Sequence, residues 1–98
     1  MLLLSAMANT PQTKPEKSNW YVYIVRCADN TLYTGISTNL SDRIATHNSG
    51  RGAKYTRARL PVSLVYSETA LDRSSAQQRE HAIKKLSTKK KKALVASY

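Results

Sequence analysis

The stretch from Trp20 to Ile36 constrains the fold more than any other. Tyr21-Val22-Tyr23-Ile24-Val25 is aromatic or β-branched at every position, which fits a strand buried at least partly on both faces. Ala28-Asp29-Asn30 is a turn signal, and Thr31-Leu32-Tyr33-Thr34-Gly35-Ile36 returns as a second strand. Loop length then decides where two tyrosines point. A two-residue turn at Asp29-Asn30 would place Tyr23 and Tyr33 on opposite faces of the sheet. A three-residue loop, with Asn30 in the left-handed conformation, places them on the same face. The second arrangement is expected here.

Asn39-Leu40-Ser41-Asp42 reads as a helix start, with Asn39 or Ser41 as cap and Asp42 in the first turn. That helix is expected to run to about Ser49 and stop at Gly50. Residues Gly50 to Arg59 carry two glycines and four Lys or Arg, and read as a mobile basic loop. Pro61 opens a third strand, Val62-Ser63-Leu64-Val65-Tyr66, whose apolar positions suit an inner strand. Ala76, Ile83 and Leu86 mark one apolar stripe of a helix between about Arg73 and Leu86. Ser87 or Thr88 can cap a further short helix from Lys89 to Ala96. The order of elements predicts an α+β domain: a small three-stranded, mainly antiparallel sheet flanked by about three helices.

At 98 residues there is room for one domain. Residues 1–18 are rich in Ser, Thr, Asn, Gln, Lys and Pro and read as a disordered tail ahead of a domain at 19–98. Met7 competes with Met1 as the start. The net charge of +10 is unevenly placed: residues 73–98 hold eight Lys and Arg against one Glu. Such an excess suits a polyanion, either nucleic acid or a membrane surface, and also suits a solvated helix that keeps the protein soluble. A single cysteine, Cys27, forbids an internal disulfide, so a reducing compartment is the simplest setting. One cysteine and two histidines make no zinc site. Met1-Leu2-Leu3-Leu4 is too short for a signal segment, and no stretch has the length of a membrane span. The expected location is cytoplasmic, as a monomer, with no membrane partner.

Chemistry-bearing residues fall into a pattern. Arg43 and His47, four apart, share one helix face. Glu80 shares a face with Ala76 and Ile83, so its carboxylate lies within an apolar stripe and needs a partner. That partner is Lys84 one turn on, Arg43, or a metal. Other acids are scarce: Asp29 is in a turn, Asp42 at a helix start, and Glu68 and Asp72 at the exit of the third strand. A two-metal site wants several convergent carboxylates, so any metal chemistry here is most economically a single Mg2+ with several waters. Tyr21, Tyr66 and Tyr98 read as structural, and Tyr55 as structural or as a base-stacking contact. Cys27 reads as a small core residue and His81 as solvent-facing.

Tyr23, followed ten residues on by Tyr33-Thr34-Gly35, resembles the paired tyrosine motifs that name the GIY-YIG nucleases. Arg43, ten residues after Tyr33, and His47 are similar to that family's helix with its Arg and its His or Tyr. Glu80 falls where the family carries a metal-binding carboxylate. Gly52-Ala53-Lys54-Tyr55-Thr56 and Glu80-His81-Ala82-Ile83-Lys84-Lys85-Leu86 resemble the small stand-alone bacterial branch, the UPF0213 proteins. The first motif here lacks its glycine, Thr34 replaces an aliphatic residue, and Lys89 to Lys92 stand where some of the nucleases place an Asn.

The resemblance implies a metal-dependent endonuclease that hydrolyses DNA phosphodiester bonds, selective for structure rather than sequence, in a repair or recombination setting. It implies Tyr23, Tyr33, Arg43, His47 and Glu80 as catalytic residues. Glu80 would hold Mg2+ (or Mn2+), Arg43 would neutralise the phosphate, and Tyr33 or Tyr23 would activate or orient water. Arg51, Lys54, Arg57, Arg59, Lys84 and Lys85, with Lys89 to Lys92, would grip the backbone. The partner is then nucleic acid, with DNA favoured over RNA, and a recruiting protein would supply targeting. The alternative is a nucleic-acid-binding domain with weak or no catalysis.

Overall fold

A computed structural model describes residues 19–98; the tail expected at 1–18 lies outside the described residues. Strand β1 (Trp20–Arg26) is the centre of a three-stranded sheet. Strands β2 (Leu32–Ser37) and β3 (Ser63–Ala70) flank it, both antiparallel to it. Helix α1 spans Leu40–Thr46, α2 Lys54–Arg57, α3 Arg73–Lys84 and α4 Thr88–Ala96. The chain is therefore an α+β fold with helices packed on a small antiparallel sheet.

β1 is buried on both faces, as its composition requires. Val22 and Ile24 point to one side and pack with Ala76 and Ile83 of α3, with Leu94 and Val95 of α4 against them. Tyr23 and Val25 point to the other and pack with Cys27 and Val62, against which Tyr33, Leu40, Ile44 and Leu64 close. The alternation of side chains along a strand thus feeds two separate cores.

The β1–β2 turn has the expected form. Asn30 donates its backbone N–H to the Cys27 carbonyl, and Cys27 donates to the Thr31 carbonyl. Asn30 holds φ 68°, the left-handed region that a short polar side chain tolerates. The register pairs Tyr23 with Gly35 and Val25 with Tyr33. Tyr23 and Tyr33 therefore share a face. The Tyr23 ring lies over Gly35, where a Cβ would collide with its hydroxyl end.

Three expectations are corrected. The third strand is an edge strand, because the inner position is filled by β1, whose residues 22–25 are all buried. It also runs on to Ala70 through polar residues, since Glu68 accepts from Tyr66 Oη (2.5 Å) and Arg79 Nε (2.7 Å), tying the strand's end to α3. Its register slips between Ile24 and Val25, inserting Val65 as a bulge.

Secondly, the first helix does not simply end at Gly50. Asn39 caps it through a bond from the Asp42 N–H (3.0 Å), and it passes at His47 into a wider π-type turn, His47–Arg51. Gly50 sits inside that turn at φ 84°, a value its missing Cβ makes accessible.

Thirdly, residues 50–59 are not a structureless loop. They contain α2, and the buried Thr56 anchors them. Asn48 fixes the far side, donating Nδ2 to the Val62 carbonyl (3.0 Å) and accepting from the Val62 N–H (2.7 Å).

Candidate active site

Three elements meet beneath the second core. β1 supplies Tyr23, the α1 helix and its π-type turn supply Arg43 and His47, and the segment after them supplies Thr56. The Tyr23 hydroxyl lies 2.8 Å from His47 Nε2 and accepts from Arg43 Nε at 3.3 Å. His47 Nδ1 lies 2.9 Å from Thr56 Oγ1, which donates to the Ala53 carbonyl at 2.9 Å.

The direction of this chain follows from counting hydrogens. Thr56 has one hydroxyl hydrogen and gives it to Ala53, so its oxygen accepts from His47 Nδ1–H. His47 Nε2 is then the bare nitrogen of a neutral imidazole and accepts from Tyr23 O–H. The Tyr23 oxygen accepts in turn from Arg43. Each hydrogen along the Tyr23–His47–Thr56 chain has an acceptor, and the tautomer is fixed by the network.

Burial enforces the same charge states. Desolvation holds the His47 pKa below its ordinary 6.5, and the Arg43 guanidinium lowers it further. Burial raises the Tyr23 pKa above 10.0, opposed by the Arg43 hydrogen bond and charge and assisted by Tyr33 and Glu80. Gly52 completes the fit: a Cβ there would strike the His47 ring and its Cα.

A pH dependence follows from the imidazole. In the unfolded chain it titrates near 6.5, whereas the folded site resists protonation. The unfolded state thus binds more protons below that point, and stability rises with pH. The contribution is complete above 6.5 and is lost as the pH falls toward the lower folded value. Glu68, also held below its ordinary 4.5, adds its own loss only at more acid pH. Thermal melts taken from pH 7.5 down to 5 are expected to show a falling Tm. In His47→Gln the slope over that range should largely vanish; an unchanged slope would refute the assignment.

The other expected site residues are placed as follows. Tyr33 shares the Tyr23 face and is half-buried, its ring edge-on to His47 at 5.6 Å between centroids. Glu80 on α3 keeps 22% of its side chain exposed and meets Lys84 Nζ at 3.3 Å. The ion pair foreseen one turn on is thus formed. Lys84 also stands 5.7 Å from the centroid of the Tyr33 ring, so Glu80 and Tyr33 border one surface. Arg51, Lys54, Arg57 and Lys85 are exposed. Arg59 is not free: its Nε meets Asp29 at 3.1 Å and its Nη1 donates to the Tyr55 carbonyl at 2.8 Å. Lys89 to Lys92 open α4, which packs on the opposite core from Tyr23.

Three residues were not foreseen as part of the site, Gly52 with its contact to His47 among them. Thr56 has the role just described, and the only signal for it was its place in the Gly52-Ala53-Lys54-Tyr55-Thr56 run. Gly35 makes room for Tyr23, and a lone glycine inside a strand is the usual mark of such an approach.

Among the described residues no group of three or more His, Cys, Asp or Glu could hold a metal ion. The donor set is one carboxylate, Glu80, partly exposed and paired with Lys84, which stands beside Tyr33. That suits Mg2+, which keeps several waters and takes one or two carboxylates together with substrate phosphate oxygens. No helix among the described residues is long and apolar enough to cross a membrane.

Known proteins resemble this chain over most of its length. The family model described as the GIY-YIG catalytic domain matches residues 19–93. A UPF0213 protein of Desulfotalea psychrophila is 58% identical over 86 residues, covering 87% of this chain and 76% of the relative. One from Natronomonas pharaonis is 58% identical over 76 residues, covering 78% and 89%. The solution structure of a UPF0213 protein from Bacillus halodurans aligns with a TM-score of 0.52 at 45% identity, over 80% of this chain and 83% of that one. A solution structure of a protein from E. faecalis aligns at 0.55 and 38% identity, over 81% and 84%.

Proposed function

The chain belongs to the GIY-YIG catalytic domain family, and from that premise we propose that it is a metal-dependent endonuclease. Its substrate is the DNA phosphodiester backbone, chosen by structure rather than by base sequence. The observation that carries the reading is the convergence of Tyr23, Arg43 and His47 in one hydrogen-bonded cluster, with Tyr33 against it on the same face.

In this reading each group has a separate task. Arg43 is held by Nε to Tyr23, which leaves its terminal nitrogens for two phosphate oxygens; a rigid fork suits that shape. Its charge is matched to the negative charge that grows on phosphorus during attack. Tyr23 is fully buried with its hydroxyl engaged twice, so it positions Arg43 and does not meet water. Tyr33 is the phenol open to the surface, and its oxygen accepts the hydrogen bond that orients the attacking water. His47 keeps Tyr23 in the donating state from behind. Glu80 would hold Mg2+ or Mn2+, which when bound supplies charge neutralisation at the phosphate. Water adds to phosphorus as the bond to the 3′-oxygen breaks, the water's proton passing to solvent and the departing 3′-oxygen taking one from solvent, and no covalent bond to the protein forms.

The exposed Arg51, Lys54, Arg57, Lys84 and Lys85 supply backbone affinity without base reading. Each phosphate they neutralise steepens the salt dependence of binding by about 0.9 in log–log slope for duplex DNA.

The test is cleavage of labelled single-stranded, duplex, nicked and flapped DNAs, with Mg2+ or with EDTA. Cleavage in Mg2+ that EDTA abolishes supports the reading. Salt-dependent binding of every DNA with no cleavage would replace it by a binding domain, one in which Lys84 keeps its place on Glu80.

A further inference from the structure

Tyr55 has no part in the reaction just described, yet it is held in an unusual setting. It is 39% exposed, although a tyrosine ring carries a large apolar area that folding normally covers. It is not exposed for want of order. Its neighbour Thr56 is fully buried against His47, and consecutive helix positions point about 100° apart, so anchoring Thr56 inward turns Tyr55 outward.

Two side chains lie against the ring. It stacks on Tyr33, with centroids 5.8 Å apart and planes 21° from parallel. The Arg59 guanidinium carbon lies over the Tyr55 ring, 4.0 Å from its centroid. Aromatic contact therefore runs unbroken from the buried His47 through Tyr33 to Tyr55 at the surface.

Arg59 is spent in holding this arrangement. With Nε on Asp29 and Nη1 on the Tyr55 carbonyl, its charge is paired with a carboxylate and two of its five N–H groups are engaged. The exposed Lys54 and Arg57 stand on the same short helix and would supply the backbone charge that Arg59 does not.

We propose that Tyr55 and the Arg59 guanidinium lying over it, backed by Tyr33, form a stacking shelf for an unpaired nucleobase beside the phosphate that is cut. The substrate is consequently single-stranded at that nucleotide. The proposal rests on the nuclease reading for where the phosphate lies. Inside a duplex both faces of a base are covered by its neighbours, and drawing it out costs a few kcal/mol, least where the strand is already single. A base on an aromatic ring recovers stacking whatever its identity. Structure selectivity without sequence selectivity is what such a shelf produces.

The test is a binding experiment that does not depend on cleavage. The full chain in EDTA is titrated with single strands carrying 2-aminopurine, whose fluorescence falls on stacking, at each position in turn. Wild type and Tyr55→Phe are expected to quench it at one or two adjacent positions, and Tyr55→Leu at none. Tyr55→Leu should weaken single-strand binding by about five- to a hundredfold, the range of one base stack, and leave duplex binding nearly unchanged. Arg59→Lys keeps the charge and is expected to lose part of the same affinity, with melting curves confirming that both variants are folded. Equal single-strand affinity in wild type and Tyr55→Leu, with no position quenched, overturns the shelf. Cleavage in Mg2+ alongside that result leaves the nuclease reading standing without it. Quenching without cleavage under any condition leaves the shelf standing and removes the nuclease.

Discussion

Tyr33→Phe is expected to slow Mg2+-dependent cleavage by about 10²-fold, the usual cost of misplacing a reacting group, while single-strand binding and Tm change little. The expectation comes from the different burial of the two motif tyrosines. Tyr33 is half-buried, and its ring reaches the surface that Glu80 and Lys84 border. Removing its oxygen takes away a contact to water and leaves the ring packing on His47 and Tyr55 intact.

Tyr23→Phe should behave otherwise. It deprives Arg43 Nε and His47 Nε2 of their partner inside a buried cluster, a loss of about 1–3 kcal/mol of stability, and the melting curve should show it. Single-turnover rates and melts of the two variants therefore separate a group that meets water from one that positions others. Were Tyr23→Phe to keep full stability and lose all cleavage, while Tyr33→Phe cut normally, the two roles would have to be exchanged.

Much of this arrangement could be read from the chain, and the part that could not has a common cause. The hairpin was legible because local chemistry fixes it. Asn30 accepts a positive φ, the loop is three residues long, and the shared face of Tyr23 and Tyr33 follows from register alone. Arg43 and His47 were legible for the same reason, since helical spacing puts them together. The order of residues 50–59 was not. Helix α2 has only four residues, too few for any periodicity to show. It exists because Thr56 finds His47, and Asn48 finds Val62, across gaps that no local rule covers.

The edge position of β3 was hidden likewise. Its apolar residues look like those of an inner strand because a bulge lets Leu64 serve one core, and Val65 and Tyr66 the other. Strand neighbours are a matter of tertiary pairing, which composition reports only weakly. The Glu80–Lys84 pair shows the opposite limit. Its i,i+4 spacing was plain in the sequence, yet spacing alone could not say whether the lysine is the carboxylate's final partner.

Glu80→Gln decides that question, and it is expected to reduce cleavage by about a thousandfold or more while leaving the fold intact. Glutamine keeps the size of the side chain but loses the charge that a divalent cation requires. The contribution of a bound metal to a phosphoryl transition state is several kcal/mol, and each 1.36 kcal/mol is tenfold in rate. The cost to stability should be small by comparison. Lys84 is about half exposed, and an exposed i,i+4 pair is worth only about 0.3–0.5 kcal/mol. So weak a contact would also leave Glu80 able to serve a cation. Its lysine is held loosely enough to be displaced, and once displaced it stands beside Tyr33 with its charge free for a phosphate. Cleavage rates measured across a Mg2+ titration, alongside melts of both proteins, test each half of the argument. A variant that cuts like wild type would mean that Glu80 is only the partner of Lys84. Lost cleavage together with a markedly lowered Tm would mean that its role is to hold α3 in place.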